Sequence, residues 1–123
     1  MWTRLDDELI DHEKVFRAGA KIGRNGPAIA LGFYTVGLLW SNKHLTDGFL
    51  PMDVIKSFPH VANPAAIADA LVSAGLWDKN GGSGFVIHDF NDVNPKASRV
   101  KAKRRRDKER KRREREAKED AGE

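Results

Sequence analysis

Residues 63–88 run Asn63-Pro64-Ala65-Ala66-Ile67-Ala68-Asp69-Ala70-Leu71-Val72-Ser73-Ala74-Gly75-Leu76-Trp77-Asp78-Lys79-Asn80-Gly81-Gly82-Ser83-Gly84-Phe85-Val86-Ile87-His88. Asn63 offers a side-chain cap, Pro64 is preset for a first helical position and Gly75 suits the position just past a helix end. Start and stop signals agree, which predicts a helix over Ala65–Ala74. Two β-prone runs follow at once, Leu76-Trp77-Asp78 and Phe85-Val86-Ile87-His88, around a glycine-rich loop, and so a hairpin is expected.

Upstream, Asp47-Gly48 signals a turn and Phe49-Leu50 a brief strand. Pro51 then opens a short helix, Met52 to Phe58, with Val54, Ile55 and Phe58 as its apolar stripe, and Pro59 ends it. Further back, Ile29, Phe33, Val36 and Trp40 recur at helical spacing from Pro27, with Leu31, Tyr34 and Leu38 on another side. A helix apolar nearly all round is expected to be central, with Trp40 buried and with Gly32 and Gly37 admitting neighbouring backbones. Before it, Asp11 can cap a helix to about Lys21, with Gly23 and Gly26 as its stop. Trp2-Thr3-Arg4-Leu5 suggests a half-buried strand or an extended arm. A short helix, a turn, a second helix and a hairpin make the plan of an α+β winged helix-turn-helix domain.

Charge divides the 123-residue chain in two. Fourteen of the 22 Lys and Arg and seven of the 18 Asp and Glu fall in residues 96–123, a net +7, which leaves −3 for residues 1–95. Every aromatic residue precedes Lys96, so a winged-helix domain over residues 1–95 and a basic, partly helical or disordered tail over residues 96–123 are expected, with Asn94-Pro95 marking the exit. In the tail, opposite charges four apart, such as Asp107 with Lys111, Arg110 with Glu114 and Glu114 with Lys118, bias a helix by only ~0.2–0.5 kcal/mol each. Cysteine is absent, which excludes disulfides and thiolate metal sites and suits a reducing cytoplasm. The apolar run Ala28 to Trp40 falls short of the roughly 20 residues that span a bilayer, and the acidic opening Asp6-Asp7 does not resemble a signal peptide; a cytoplasmic protein without a membrane partner is expected.

The phrases Trp2-Thr3-Arg4-Leu5-Asp6, Asn42-Lys43-His44-Leu45-Thr46-Asp47-Gly48-Phe49-Leu50-Pro51, Ala70-Leu71-Val72-Ser73-Ala74-Gly75-Leu76-Trp77 and Ile87-His88-Asp89-Phe90…Asn94-Pro95, followed by a Lys/Arg run, resemble a family of small phage and prophage proteins. That family is similar to the N-terminal winged-helix domain of DnaD-like replisome organisers. The resemblance spans residues 2 to about 110, with Phe90 and Val93 where the family phrase commonly has Trp and Tyr. It implies a winged-helix fold and origin DNA binding in replication initiation or its control. Such organisers also carry a C-terminal helicase-contacting domain, for which the basic tail is too short.

Candidate DNA contacts on the body are Lys56, His60, Asn63, Ser73 and Lys79. A recognition helix reads base edges with Arg, Lys, Asn or Gln, yet between Pro64 and Gly75 the polar side chains are Asp69 and Ser73 alone. The tail is the stronger feature, with Lys101, Lys103, Arg104, Arg105, Arg106, Arg110, Lys111, Arg112 and Arg113 as candidate phosphate contacts. Double-stranded DNA is the expected partner, with single strands or RNA, through the Arg-rich tail, as alternatives. A protein-interaction module is the other reading, in which the hairpin, Trp2 to Leu5 or the uncharged helix pairs with another copy or a replisome protein. The Gly81-Gly82-Ser83-Gly84 loop lacks the ending of a phosphate cradle. Histidines 12, 44, 60 and 88 have no ligand spacing, and His88-Asp89 with Asp6, Asp7, Glu8 and Asp11 offer at most a metal-dependent nuclease pattern. Neither an enzyme nor a cofactor or metal is expected.

Overall fold

The computed structural model describes residues 2–58, 61–90 and 96–121. Expectations that fall on Pro59, His60 and Asn94-Pro95 therefore lie outside the described residues. The chain forms a mixed α+β fold: a short 3₁₀ turn (Asp7–Asp11), α1 (Glu13–Ile22), α2 (Gly26–His44), β1 (Phe49–Pro51), α3 (Met52–Lys56), α4 (Pro64–Ser73), β2 (Trp77–Asn80), β3 (Gly84–Ile87) and α5 (Ala97–Ala121). The three strands make one antiparallel sheet in the order β1-β3-β2. The expected hairpin therefore gains a third strand, because Phe49, Leu50 and Pro51 pair with Val86, Phe85 and Gly84.

Local chemistry explains most of these boundaries. The Asn63 side chain accepts from the Ala66 amide at 3.3 Å, and Gly75 at φ +85° closes α4 as its amide and that of Leu76 bond the carbonyls of Val72 and Leu71. At the front of the chain the expectations need correcting. Asp6 caps the 3₁₀ turn, Asp11 ends that turn, and the ring Nδ1 of His12 accepts from the Lys14 amide to cap α1. Of the two readings of Trp2 to Leu5 the arm applies, because the segment pairs with no neighbouring strand among the described residues. Gly26 does not stop α1 but starts α2, and a Cβ there would run into the Gly19 backbone, so the two helices meet in a tight corner.

The core is an aromatic chain that ties helices to sheet. Phe58, Phe33, Trp77 and Phe85 follow one another with ring centroids 5.3, 5.6 and 6.0 Å apart, spacing that suits edge-to-face and tilted contacts. Leu50, Ile55, Leu71 and Ile87 fill the space around them. Trp77 is completely buried, and its indole Nε1 has no hydrogen-bond partner among the described residues, so packing holds the ring. Trp40 is only half-buried and stacks on His44 at 4.5 Å, contrary to the expectation that it is the central aromatic. Helix α2 is likewise central on one side only: Ala30, Phe33, Gly37 and Leu38 are buried, while Ala28, Gly32 and Leu39 lie open. Gly37 fits against the Trp77 ring and Leu50, whose atoms a Cβ would meet at 2.7 and 3.0 Å; around Gly32 there is open space, so no neighbouring backbone explains it.

The turn from α2 to β1 places the C-terminal helix. Leu45, Asp47 and Gly48 adopt positive φ, and the buried Ser41 hydroxyl accepts from the Gly48 amide at 2.7 Å while sharing a hydrogen bond with Thr46. The turn so fixed presents the Asp47 carboxylate to the Ala97 amide at 2.6 Å, the first residue of α5. An acid at a helix N-terminus satisfies an otherwise unpaired amide and opposes the helix dipole. The tail is thus one continuous helix of 25 residues rather than the partly formed one its weak charge pairs suggest. Ala97 is its buried residue and Val100 is half-buried.

Candidate nucleic-acid interface

Helix α5 rises for about 37 Å at 1.5 Å per residue. Lys101, Lys103, Arg104, Arg105, Arg106, Arg110, Lys111, Arg112 and Arg113 are all exposed along it. Eleven Lys and Arg in residues 101–115 leave no face of the helix without a cation, and Arg105, Lys108, Arg112 and Arg115 form one stripe at helical spacing. Its ion pairs are loose. Arg110 meets Glu114 and Arg112 meets Glu116, each at 3.9 Å with side chains about two-thirds exposed. Pairs of that kind contribute little and weaken further in salt, so the helix keeps its positive field. The Arg112–Glu116 pair escaped the sequence reading, although its four-residue spacing is the same signal.

The body offers fewer cations than acids. Asn63 spends its side-chain oxygen on the α4 cap, and Ser73 lies exposed at the other end of the same helix. Lys79 is brought against α4, but there it sits 3.8 Å from Asp69, with both side chains 59% exposed. The one acid of α4 thus offsets the cation at the base of the hairpin. Lys56 is exposed at the end of α3.

Two clefts gather polar groups that the sequence keeps apart. In the first, of about 200 Å³, Arg4 and Asp6 of the arm, His12 and Lys14 of α1, Tyr34 of α2 and His88-Asp89 after β3 share one lining. His88 there lies 3.1 Å from Asp78 and 3.3 Å from Asp89, so it is held by carboxylates. Burial, reinforced by the nearby Asp89 charge, holds the Tyr34 hydroxyl protonated to above its ordinary range. Although Asp6 and His88-Asp89 do converge, no group of three or more His, Asp or Glu with metal-holding geometry occurs among the described residues. The second cleft, about 630 Å³, lies between the arm and α5 and is lined by Trp2, Asn42, Arg99, Val100, Lys103, Arg104, Arg106 and Asp107. The sequence did not show that Trp2 would lie beside the basic helix, because nothing local tells which helix an N-terminal aromatic will face.

Comparison of the chain with protein-family models, with curated proteins and with solved structures found no match. No helix among the described residues is long and apolar enough to cross a membrane.

Proposed function

We infer that the protein binds DNA, that residues 1–95 are a winged helix-turn-helix domain, and that α5 supplies most of the affinity. The observation that carries this reading is the exposure of eleven cations within fifteen positions of one continuous helix, attached to a body of net charge −3. A rod of that charge density attracts phosphates, and release of condensed counterions is the driving force. Support for the winged-helix assignment comes from α3, α4 and the β2–β3 hairpin in succession, with β1 closing the sheet beside β3. In this reading the hairpin is the wing, α4 the second helix of the motif, and Asn63, Ser73, Lys56 and Lys79 the body's contacts, with His60 beside them in sequence. The resemblance to phage replisome organisers suggests a cytoplasmic role in replication initiation or its control.

A second reading is favoured by one observation. The Lys79–Asp69 pair leaves the hairpin base and α4 close to neutral, which suits a protein partner, a replisome component or another copy, better than a phosphate backbone.

Salt dependence tests the first reading. Each phosphate neutralised adds about −0.9 to the slope of log K against log salt, so six contacts on duplex DNA give a slope near −5. Reversing Arg104, Arg105, Arg106, Arg112 and Arg113 to Glu in the full chain should flatten that slope and weaken binding to all sequences alike. Affinity indifferent to salt or to those reversals would leave the protein-partner reading ahead.

A further inference from the structure

Trp2 is 94% exposed, more than any other large apolar side chain of the described residues. The arm that carries it is tethered next door: the buried Asn42 of α2 donates from Nδ2 to the Thr3 hydroxyl at 3.1 Å, which ties the arm to the body one residue further on. The cleft that Trp2 lines is closed on the other side by α5, where Arg99, Lys103 and Arg106 recur at i, i+4 and i+7. Its volume of about 630 Å³ lies within the roughly 300–1,000 Å³ of small-molecule sites. An aromatic face kept in water, opposite a row of cations at one-turn spacing, is complementary to a ligand with flat rings along a chain of negative charge.

We propose that this cleft binds an unpaired DNA strand, with a base stacked on Trp2 and the flanking phosphates on Arg99, Lys103 and Arg106. The proposal rests on the DNA-binding reading above and adds the form of DNA. In the interior of a duplex both faces of each base are covered by stacked neighbours, so away from duplex ends only an unpaired base can offer its face to Trp2. Stacking on an aromatic side chain tolerates every base, because each has a π-face, and the cations follow the backbone without regard to sequence. The cleft therefore selects strandedness and not sequence. Because Trp2 contributes almost nothing to the core, replacing it leaves the fold intact, and any change in binding reports on the cleft itself.

The test measures binding of the full chain to labelled dT12, to a 12-base-pair duplex and to rU12 by fluorescence anisotropy at fixed salt. Trp2→Ala should weaken dT12 binding about 5- to 150-fold, the range for one stacked base, and leave duplex binding within about twofold. Trp2→Phe should restore most of the loss, because a smaller aromatic still stacks. The combined change Arg99→Glu, Lys103→Glu and Arg106→Glu should weaken dT12 binding and flatten its salt slope. Unchanged dT12 affinity in Trp2→Ala, or an equal loss on duplex and single strand, overturns the proposal while wild-type duplex binding stands. A greater Trp2-dependent affinity for rU12 than for dT12 overturns the assignment to DNA. Binding of none of the three oligonucleotides by the wild-type chain overturns the DNA-binding reading as well.

Discussion

Trp77, and not Trp40, is the aromatic on which the core depends. It is fully buried between Phe33 and Phe85 and presses on the bare backbone of Gly37, whereas Trp40 lies half in solvent against His44. Trp77→Ala should cost ~3–5 kcal/mol, as for large aromatics removed from cores, because its neighbours Phe33 and Phe85 are fixed on α2 and β3 and cannot collapse together into the gap. Trp40→Ala should cost clearly less. Denaturant melts of the two variants measure the order, and an equal or reversed cost would contradict the burial pattern. At the same scale Gly48 shows how one residue serves two needs: φ +90° suits glycine, and a Cβ there would touch the Phe90 side chain at 2.9 Å.

Helix α2 makes two glycines of one element behave oppositely. A methyl group at Gly37 would sit 2.7 Å from the Trp77 ring and 3.0 Å from Leu50, and since Trp77 is itself enclosed the ring cannot swing away. Gly37→Ala should therefore destabilise by ~1–3 kcal/mol through overpacking. At Gly32 nothing lies within 4 Å, so Gly32→Ala should stabilise by up to ~1 kcal/mol through the better helix propensity of alanine. Thermal melts of the pair check both signs. The start of α5 depends on the Asp47 carboxylate in the same way that α4 depends on Asn63. Asp47→Gly removes the acceptor while suiting the positive φ of that position. Hydrogen exchange at the amides of residues 97–100 should quicken in this variant with little change at β3; unaltered protection at residues 97–100 would mean that α5 starts without that cap.

Across the whole molecule, the body and helix α5 (Ala97–Ala121) meet, among the described residues, at a seam that includes Asp47, Ala97 and Val100. Little apolar area is lost if the helix is removed. Deletion of residues 96–123 should lower Tm by only a few degrees, since about 1 kcal/mol shifts the Tm of a domain of this size by roughly 4–8 °C. A larger fall would show that α5 packs on the body along its length. The seam also has a functional consequence, because it leaves most of the helix surface open to a polyanion.

Local chemistry in the sequence determined α3, α4 and the hairpin, since caps, prolines and Gly75 act within a few residues and need no distant partner. It also determined the charge division, which is composition alone. Tertiary structure decided whatever depends on distant residues meeting. The pairing of β1 with β3, the choice of Trp77 over Trp40 as the core aromatic, and the offsetting of Lys79 by Asp69 all join positions that no local pattern connects. The tail is the clearest case: its own pairs are each too weak to hold a helix, and the capping carboxylate comes from Asp47, fifty positions upstream. The cleft of Trp2 with Arg99, Lys103 and Arg106 exists for the same reason, because opposite ends of the chain become neighbours only once the α2–β1 turn has set the direction of α5.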